Sequence, residues 1–286
     1  MPAPRILLLT ALAMLAFAGN SLLCRLALKH TAMDAASFTV LRLAAGALVL
    51  GLLLRLRRPP LAPSGNWRAA AALFVYAAAF SYAYLQLDAG SGALLLFGAV
   101  QLSMGAVGLL HGERLGPLQS LGFLLAGGGL VVLLLPGASA PPLGGALLML
   151  LAGLAWGAYT LLGRQAGPPL AATAGNFIRT LPLAGLLLLP FLGQLSWDGP
   201  GLAYALLSGA LTSGIGYAIW YSALPGLGAL QAASVQLSVP VLAALGGALL
   251  LGEAISLRLA LVSVAVLGGI ALVLRGRFQA KPAEQC

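Results

Sequence analysis

The chain has 286 residues, of which 60% are hydrophobic and 7% are charged, and it carries a net charge of +9. A soluble domain has about a quarter charged residues, so this composition excludes an ordinary water-soluble fold. The basic residues stand in short loops between apolar runs, which argues against nucleic-acid binding. The composition predicts an all-α integral membrane protein.

Ten apolar runs follow one another along the chain, and each is long enough to cross a bilayer as a helix. The first run has a basic start and an Ala16-Phe17-Ala18 ending that resembles a signal-peptidase site. A later stretch repeats this sequence and cannot be a signal peptide, so we expect an uncleaved first helix. The predicted spans are 5–27, 35–55, 67–87, 90–111, 117–136, 143–163, 170–192, 200–221, 228–251 and 257–275.

The loop charges predict an orientation for these spans. If the ten helices alternate in direction, ten of the fifteen basic residues fall on the side of the N-terminus and three fall on the other side. The largest cluster is Arg55, Arg57, Arg58 and Arg68. Because basic loops remain in the cytoplasm, we predict that both termini are cytoplasmic.

The sequence repeats itself at a nearly constant offset. The stretch FAGNSLLCR at 17–25 matches WGAYTLLGR at 156–164, and Arg42 and Glu113 match Arg179 and Glu253. The matches occur in the same order, which predicts two halves, residues 1–138 and 139–286. Since each half holds five spans, an odd number, the halves enter the membrane in opposite senses, as in inverted-repeat transporters.

This arrangement resembles the drug/metabolite transporter (DMT) superfamily, EamA type, in which an arginine begins the second helix of each half and Gly-Glu follows the fourth. The resemblance implies a DMT fold of ten helices in two inverted five-helix repeats. It implies a central cavity from helices 1–4 and 6–9, with helices 5 and 10 outside. It further implies a secondary transporter of a bacterial inner membrane that works by alternating access, without a cofactor.

One position departs from the pattern and bears on bending. Pro240 precedes Glu253 by thirteen residues, whereas Val100 holds the matching place before Glu113. Because Pro and Gly interrupt the helical hydrogen-bond ladder, flexing points are predicted at the following positions: Gly98, Pro225 and Pro240.

Polar and aromatic residues within the spans are the candidates for the cavity wall, because such residues usually face a cavity or another helix. An aromatic cavity with a few amides suits a neutral, flat or bulky solute. The WGAY stretch and the aromatic third helix are most similar to the YddG-type exporters of aromatic amino acids. The amides could equally form interhelical hydrogen bonds, and Trp220 and Tyr221 could belong to an interfacial belt. The predicted substrate-binding residues are Phe17, Asn20, Ser21, Tyr76, Tyr82, Tyr84, Phe97, Gln101, Trp156, Tyr159, Asn176, Tyr217 and Gln236.

The charged residues of the spans leave two interpretations. Arg42 and Arg179 are predicted to be structural anchors that reach the interface, with contact to a substrate carboxylate as the alternative. The acidic residues all fall at helix ends or in loops, and none is predicted to be buried. The lack of a carboxylate at mid-membrane argues against cationic drugs as substrates and against proton coupling through a buried acid.

The remaining residue types exclude other classes of site. The two cysteines, Cys24 and Cys286, are not placed to form a disulfide, and the two histidines lack metal-ligand spacing. No nucleophile with a base is predicted, so the chain is not expected to be an enzyme. The predicted function is export of aromatic and other neutral amino acids by a monomer or weak homodimer among membrane lipids. The alternative is transport of another small metabolite, such as a sugar phosphate, a nucleotide sugar or a drug.

Overall fold

A computed structural model describes residues 3–111, 115–137, 140–163, 168–227 and 235–279. These ranges are almost entirely helical. Their helices are α1 (Ala3–His30), α2 (Ala35–Leu56), α3 (Trp67–Ala83), α4 (Ala89–Leu110), α5 (Pro117–Leu134), α6 (Leu143–Gly163), α7 (Pro169–Leu188), α8 (Gly199–Ala223), α9 (Ser238–Leu251) and α10 (Leu257–Gln279).

Eight helices of the described part are long and apolar enough to cross a membrane. The other two are shorter: α3 has 17 residues and α9 has 14. The all-helical, multi-pass membrane architecture predicted from composition is therefore confirmed, whereas a count of ten spans stays a prediction. The predicted span 67–87 was too long, because the backbone turns after Ala83 and the Tyr84 carbonyl accepts a hydrogen bond from Arg25.

Three helices begin at a polar cap that the sequence places in a loop. Asp34, Asn66 and Asp198 each accept a backbone N–H three residues ahead, at 2.8 Å. Such side chains satisfy amides that have no partner inside the helix. The acidic residues at 34 and 198 are thus structural caps.

The same two caps join the α1–α2 and α7–α8 loops. Asp34 accepts the Ser196 N–H at 2.8 Å, and Asp198 accepts the Ala32 N–H at 3.1 Å. These reciprocal hydrogen bonds form a clasp between the loops, at the end of the molecule where α1 finishes. We name it the Arg25 end, after a residue of the last turns of α1.

Helices α5 and α10 pack against each other and against α4, away from the other helices. Their crossing is close because both sides are small. A Cβ on Gly122 would lie 2.4 Å from the Gly269 carbonyl oxygen, and a Cβ on Gly269 would lie 2.6 Å from the Gly122 oxygen. Ala126 and Ala265, each four residues from one of these glycines, complete a small-xxx-small pattern on each helix.

The main contacts of the central helices fall in corresponding pairs between the two groups of five. α6 packs on α3 and α4, and correspondingly α1 packs on α8 and α9. α2 packs on α7, its counterpart. The centre of the molecule is therefore built mainly from contacts between the two groups, with fewer contacts within each.

Helix α8 changes its winding midway. It is α-helical over Gly199–Leu207, π-helical over Ser208–Ile215 and α-helical again over Gly216–Ala223. A Cβ on Gly209 would lie 2.2 Å from the Arg42 carbonyl oxygen, so α2 crosses the π-helical segment in backbone contact.

Candidate functional site

A cavity with about 470 Å³ of empty space, part of it open to solvent, lies where the two groups of helices meet. Its walls come from α1, α3, α4, α6 and α8 and from the residues just before α9. Aromatic rings and uncharged polar groups make up most of this lining. The lining residues are Phe17, Asn20, Ser21, Tyr76, Phe80, Leu96, Phe97, Trp156, Thr212, Ser213, Tyr217 and Gln236.

Trp156 of α6 lies at the centre of the aromatic wall. Its ring centroid is 4.7 Å from that of Tyr76 on α3 and 5.5 Å from that of Tyr217 on α8. Phe17 of α1 extends the wall, with its centroid 5.7 Å from that of Tyr217. Rings from both groups of helices thus form one continuous surface, which offers π-faces and edges to a flat ligand.

Asn20 of α1 carries the main polar contacts of the cavity. Its amide oxygen accepts hydrogen bonds from Ser208 Oγ at 2.7 Å and from Thr212 Oγ1 at 3.4 Å. Its amide nitrogen donates to the Tyr76 hydroxyl at 3.4 Å. The side-chain orientation of Asn20 is therefore set by the π-helical segment of α8 on one side and by α3 on the other.

The structure brings together eight of the thirteen residues predicted to bind substrate. These are Phe17, Asn20, Ser21, Tyr76, Phe97, Trp156, Tyr217 and Gln236. Phe80, Leu96, Thr212 and Ser213 also line the cavity but were not predicted. In a Leu/Ala-rich helix, the sequence does not indicate which way a serine, threonine or leucine side chain points. Only Phe80, within the aromatic third helix, could have been predicted to line the cavity.

Two predicted tyrosines lie away from the cavity. Tyr84 is fully buried behind the wall, where its ring meets Phe80 edge-on at 4.7 Å and its hydroxyl donates to the Ala89 carbonyl at 3.3 Å. Tyr82 packs 6.2 Å from Phe191. Both face helices or loops because neighbouring positions on α3 point to different sides.

The other three predicted residues also lie off the lining. Tyr159 is buried beside Trp156, with ring centroids 5.3 Å apart. Asn176 is buried, and its amide oxygen accepts the Asn66 N–H at 3.0 Å, which fastens the α2–α3 loop to α7. Gln101 is half-buried on α4, one turn beyond Phe97.

Two aromatic residues near the end of α8, for which an interfacial belt was one interpretation, pack against neighbouring helices. Trp220 is buried, with its ring 6.1 Å from that of Phe17. Tyr221 is half-buried, and its hydroxyl accepts a hydrogen bond from Thr173 Oγ1 at 3.3 Å. Both pack inside the protein because α8 presents this face to α1 and α7.

The two arginines matched by the repeat have different surroundings. Arg179 is half-buried and donates through Nη1 to the carbonyls of Ser64 at 2.6 Å and Gly175 at 2.9 Å. These contacts fit a structural anchor. Arg42 is 2% exposed, and its guanidinium lies among the rings of Phe38, Tyr76 and Phe80.

An ion-pair cluster at the Arg25 end was not predicted; its Arg25–Glu253 pair is buried and its Asp88 carboxylate is exposed. Arg25 Nε donates to Glu253 at 2.8 Å, and its Nη2 donates to Asp88 at 3.1 Å. The second Glu253 oxygen accepts the Ala89 N–H at 2.8 Å, at the start of α4. The prediction that no acidic residue is buried was wrong for Glu253, because α9 ends at Gly252 in a left-handed conformation that turns the next side chain inward.

The cluster joins α1, α4 and α9 one turn beyond the cavity residue Ser21. The sequence did signal it, since Arg25 and Glu253 both belong to the repeated stretches. Their counterparts Arg164 and Glu113 lie outside the described residues. Removing one partner of a buried pair leaves an uncompensated charge and costs about 3–5 kcal/mol.

The predicted flexing points occupy three kinds of position. Gly98 lies within the continuous helix α4, and a Cβ there would lie 3.0 Å from Leu130 of α5. Pro225 lies in the 3₁₀ turn Leu224–Gly226 that follows α8, and Pro240 is buried in the first turn of α9. Across the described ranges, no three His, Cys, Asp or Glu side chains are grouped to hold a metal ion.

Comparison with known proteins adds three findings. Residues 143–275 match the EamA-like transporter family. An uncharacterized protein of Pseudomonas aeruginosa is 73% identical over 278 residues, which cover 97% of this chain and 97% of that protein. A solved crystal structure with 22% sequence identity has a TM-score of 0.64 and covers 94% of this chain and 98% of that chain. The last likeness concerns the fold alone.

Proposed function

We propose that this chain, whose residues 143–275 match the EamA-like transporter family, exports aromatic and other neutral amino acids by alternating access. The family is one of membrane transporters of small substrates, which favours transport over catalysis. The amino-acid specificity is our proposal and rests on the chemistry of the cavity.

The single observation that carries the proposal is the aromatic cavity with its uncharged polar groups. Trp156 and Tyr217 offer stacking faces, while Asn20 and Thr212 offer hydrogen bonds. No carboxylate is among the lining residues. Apolar walls with a few fixed polar groups suit flat, neutral solutes better than permanent cations.

The two-halved organisation, 1–138 and 139–286, is part of the proposal. It is supported by the main interhelical contacts, which fall in corresponding pairs: α6 packs on α3 and α4, as α1 packs on α8 and α9. It is also supported by the reciprocal contact of Gly122 with Gly269, which lie in corresponding helices. An inverted repeat allows one set of contacts to produce both inward-open and outward-open states.

We assign the Arg25 cluster the role of a gate in this cycle. Arg25 belongs to the first half and Glu253 to the second, so their ion pair ties the halves together at one end of the cavity. The hydrogen bond from the Ala89 N–H to Glu253 is a second contact between the halves at the same place. Opening the cavity toward the Arg25 end requires both contacts to separate. Rocking about Gly98, Pro225 and Pro240 would provide this movement.

The cellular setting follows from the loop charges. We propose that the protein lies in a bacterial inner membrane with both termini cytoplasmic, so that the Arg25 end faces away from the cytoplasm. A reporter fused after residue 286 is expected to read as cytoplasmic. A periplasmic reading would remove the proposed orientation and the gate's assignment to the outer side.

Transport by the purified protein in liposomes tests the function. The panel holds labelled Trp, Phe, Leu and Ala, with a sugar phosphate, a nucleotide sugar and a quaternary ammonium drug as alternatives. We expect transport of the amino acids, fastest for Trp and Phe, and none of the quaternary cation. Transport of a sugar phosphate or nucleotide sugar without any amino acid would replace the proposal with the alternative.

A further inference from the structure

Arg42 of α2 is a buried cation that the fold does not neutralise in the usual way. It is 2% exposed, and no carboxylate of the described residues lies within ion-pair distance. Its Nη1 atom is buried and has no hydrogen-bond partner within the described part of the chain. A charge inside a bilayer is costly to maintain and usually marks a functional path or pocket.

The charge lies directly behind the cavity wall. The guanidinium carbon is 5.0 Å from the centroid of the Phe80 ring and 5.6 Å from that of Tyr76, and both rings line the cavity. The Phe38 ring, at 5.9 Å, lies near the same guanidinium. Ring faces stabilise a desolvated cation only in part, so positive potential remains on the cavity side.

The repeat provides an internal comparison. Arg179 holds the matching position in the second half, and its Nη1 is occupied by two backbone carbonyls. An arginine serving only as an anchor can thus be satisfied by the backbone in this fold. Arg42 keeps an unpaired donor, and the helix next to it, α3, is the one that brings Tyr76 and Phe80 to the cavity.

We infer that Arg42 recognises the carboxylate of the transported solute, so that the cavity selects molecules with an aromatic or apolar body and one carboxylate. This inference deepens the proposed function and rests on it. The guanidinium fork matches the geometry of a carboxylate. The Tyr76 and Phe80 ring centroids lie 5.4 Å apart, so a carboxylate that displaces one of these rings would supply the missing acceptor for Nη1.

Matched pairs of solutes test the inference in the wild-type protein without any substitution. We would measure thermal-stability shifts of the solubilised protein, and transport in liposomes, for tryptophan against tryptophanamide and for benzoate against benzamide. The second pair controls for the amine charge that remains in the first. We expect the carboxylate to be preferred by about tenfold or more, as for a hydrogen bond between charged groups. Equal response to acid and amide in both pairs would overturn the inference.

Variants then connect the preference to this residue. Arg42→Gln is expected to abolish the preference, and Arg42→Lys to retain part of it. Arg68→Gln, which removes an exposed charge in the first turn of α3, is expected to leave it unchanged. An Arg42→Gln protein that folds and keeps the wild-type preference would refute the role of Arg42.

The outcome for the proposed function is read separately. If no amino acid is transported but benzoate still stabilises the protein through Arg42, the amino-acid proposal fails and carboxylate recognition stands. If amino acids are transported as fast as their amides, the function stands and the inference fails.

Discussion

Trp156 and Tyr217 lie with ring centroids 5.5 Å apart and ring planes inclined by 23°. One ring belongs to α6 and the other to α8, so their stacking spans the cavity wall between helices that do not follow one another in the chain. The pair presents a large aromatic surface to the cavity. This surface is the basis of the first prediction.

Trp156→Ala is expected to slow transport of Trp and Phe several-fold more than transport of Leu and Ala. Aromatic pairing contributes about 0.5–1.5 kcal/mol beyond buried area, and 1.4 kcal/mol corresponds to tenfold in affinity. The measurement is the ratio of aromatic to aliphatic transport at equal reconstitution. Trp197→Ala, at a residue 65% exposed, is the matched control. An equal loss for both substrate classes would make Trp156 a packing residue.

Glu253→Gln is expected to open the Arg25 end more often. The change weakens the ion pair to Arg25 and the acceptor of the Ala89 N–H, which together tie the halves. The readout is labelling of Thr212→Cys, in a chain without native cysteines, by a membrane-impermeant thiol reagent added from outside. Labelling several-fold faster than in the parent is expected. Lys29→Gln, an exposed charge on the last turn of α1, is the control.

Gly122→Ala is expected to destabilise the contact between α5 and α10. Its Cβ would lie 2.4 Å from the Gly269 carbonyl oxygen. Because this oxygen belongs to the backbone, it cannot move aside as a flexible side chain could. Overpacking of this kind costs about 1–3 kcal/mol. Gly127→Ala in the same helix meets nothing within 4 Å and should be neutral or stabilising. Thermal unfolding of the two variants compares them, and equal unfolding temperatures would refute the close crossing.

The loop clasp at the Arg25 end is expected to weaken in acid. Hydrogen bonds from the Ala32 and Gly201 backbone N–H groups lower the pKa of Asp198 below its usual value. A lowered pKa means that the stabilisation is complete above the unfolded value, about 3.9, and is lost as pH falls through the folded value.

Asp198→Asn provides the comparison, because asparagine can still cap α8 but carries no charge. The difference in unfolding temperature between wild type and Asp198→Asn is expected to shrink as the pH is lowered from 6 to about 3. A difference that stays constant over this range would show that the carboxylate charge does not hold the clasp.

The fold could be predicted further than the site, and the reasons are physical. Apolar length and loop charge decide where helices lie, and those properties are local. Which face of a helix meets the cavity depends on neighbours far along the chain. Asn176 and Tyr84 were chosen as a polar and an aromatic residue of predicted spans. In the structure they bind the α2–α3 loop and the start of α4.

The repeat only partly coincides with the cavity wall. Phe17, Asn20 and Trp156 are polar or aromatic residues of the matched stretches that line the cavity, whereas Tyr159 of the same stretches lies off the lining. Thr212 could not be predicted, because the direction of its side chain depends on the π-helical winding of α8. No residue type in the sequence indicates that winding. The burial of Glu253 required knowledge of its partner Arg25, 228 positions away.

The π-helical winding in the middle of α8 determines the directions in which the side chains of its last turns point. In an α-helix, Thr212 and Tyr217 would point about 140° apart, yet both line the cavity because a π-helical segment takes more residues per turn. Inserting one residue between Ile215 and Gly216 would turn Tyr217 by about 100° away from the cavity, although every lining side chain is still encoded. Aromatic transport should therefore be lost on insertion and kept in Leu211→Ala, a substitution at an exposed position of the same helix. In this protein the specificity of the wall depends on how many residues precede it as well as on which residues compose it.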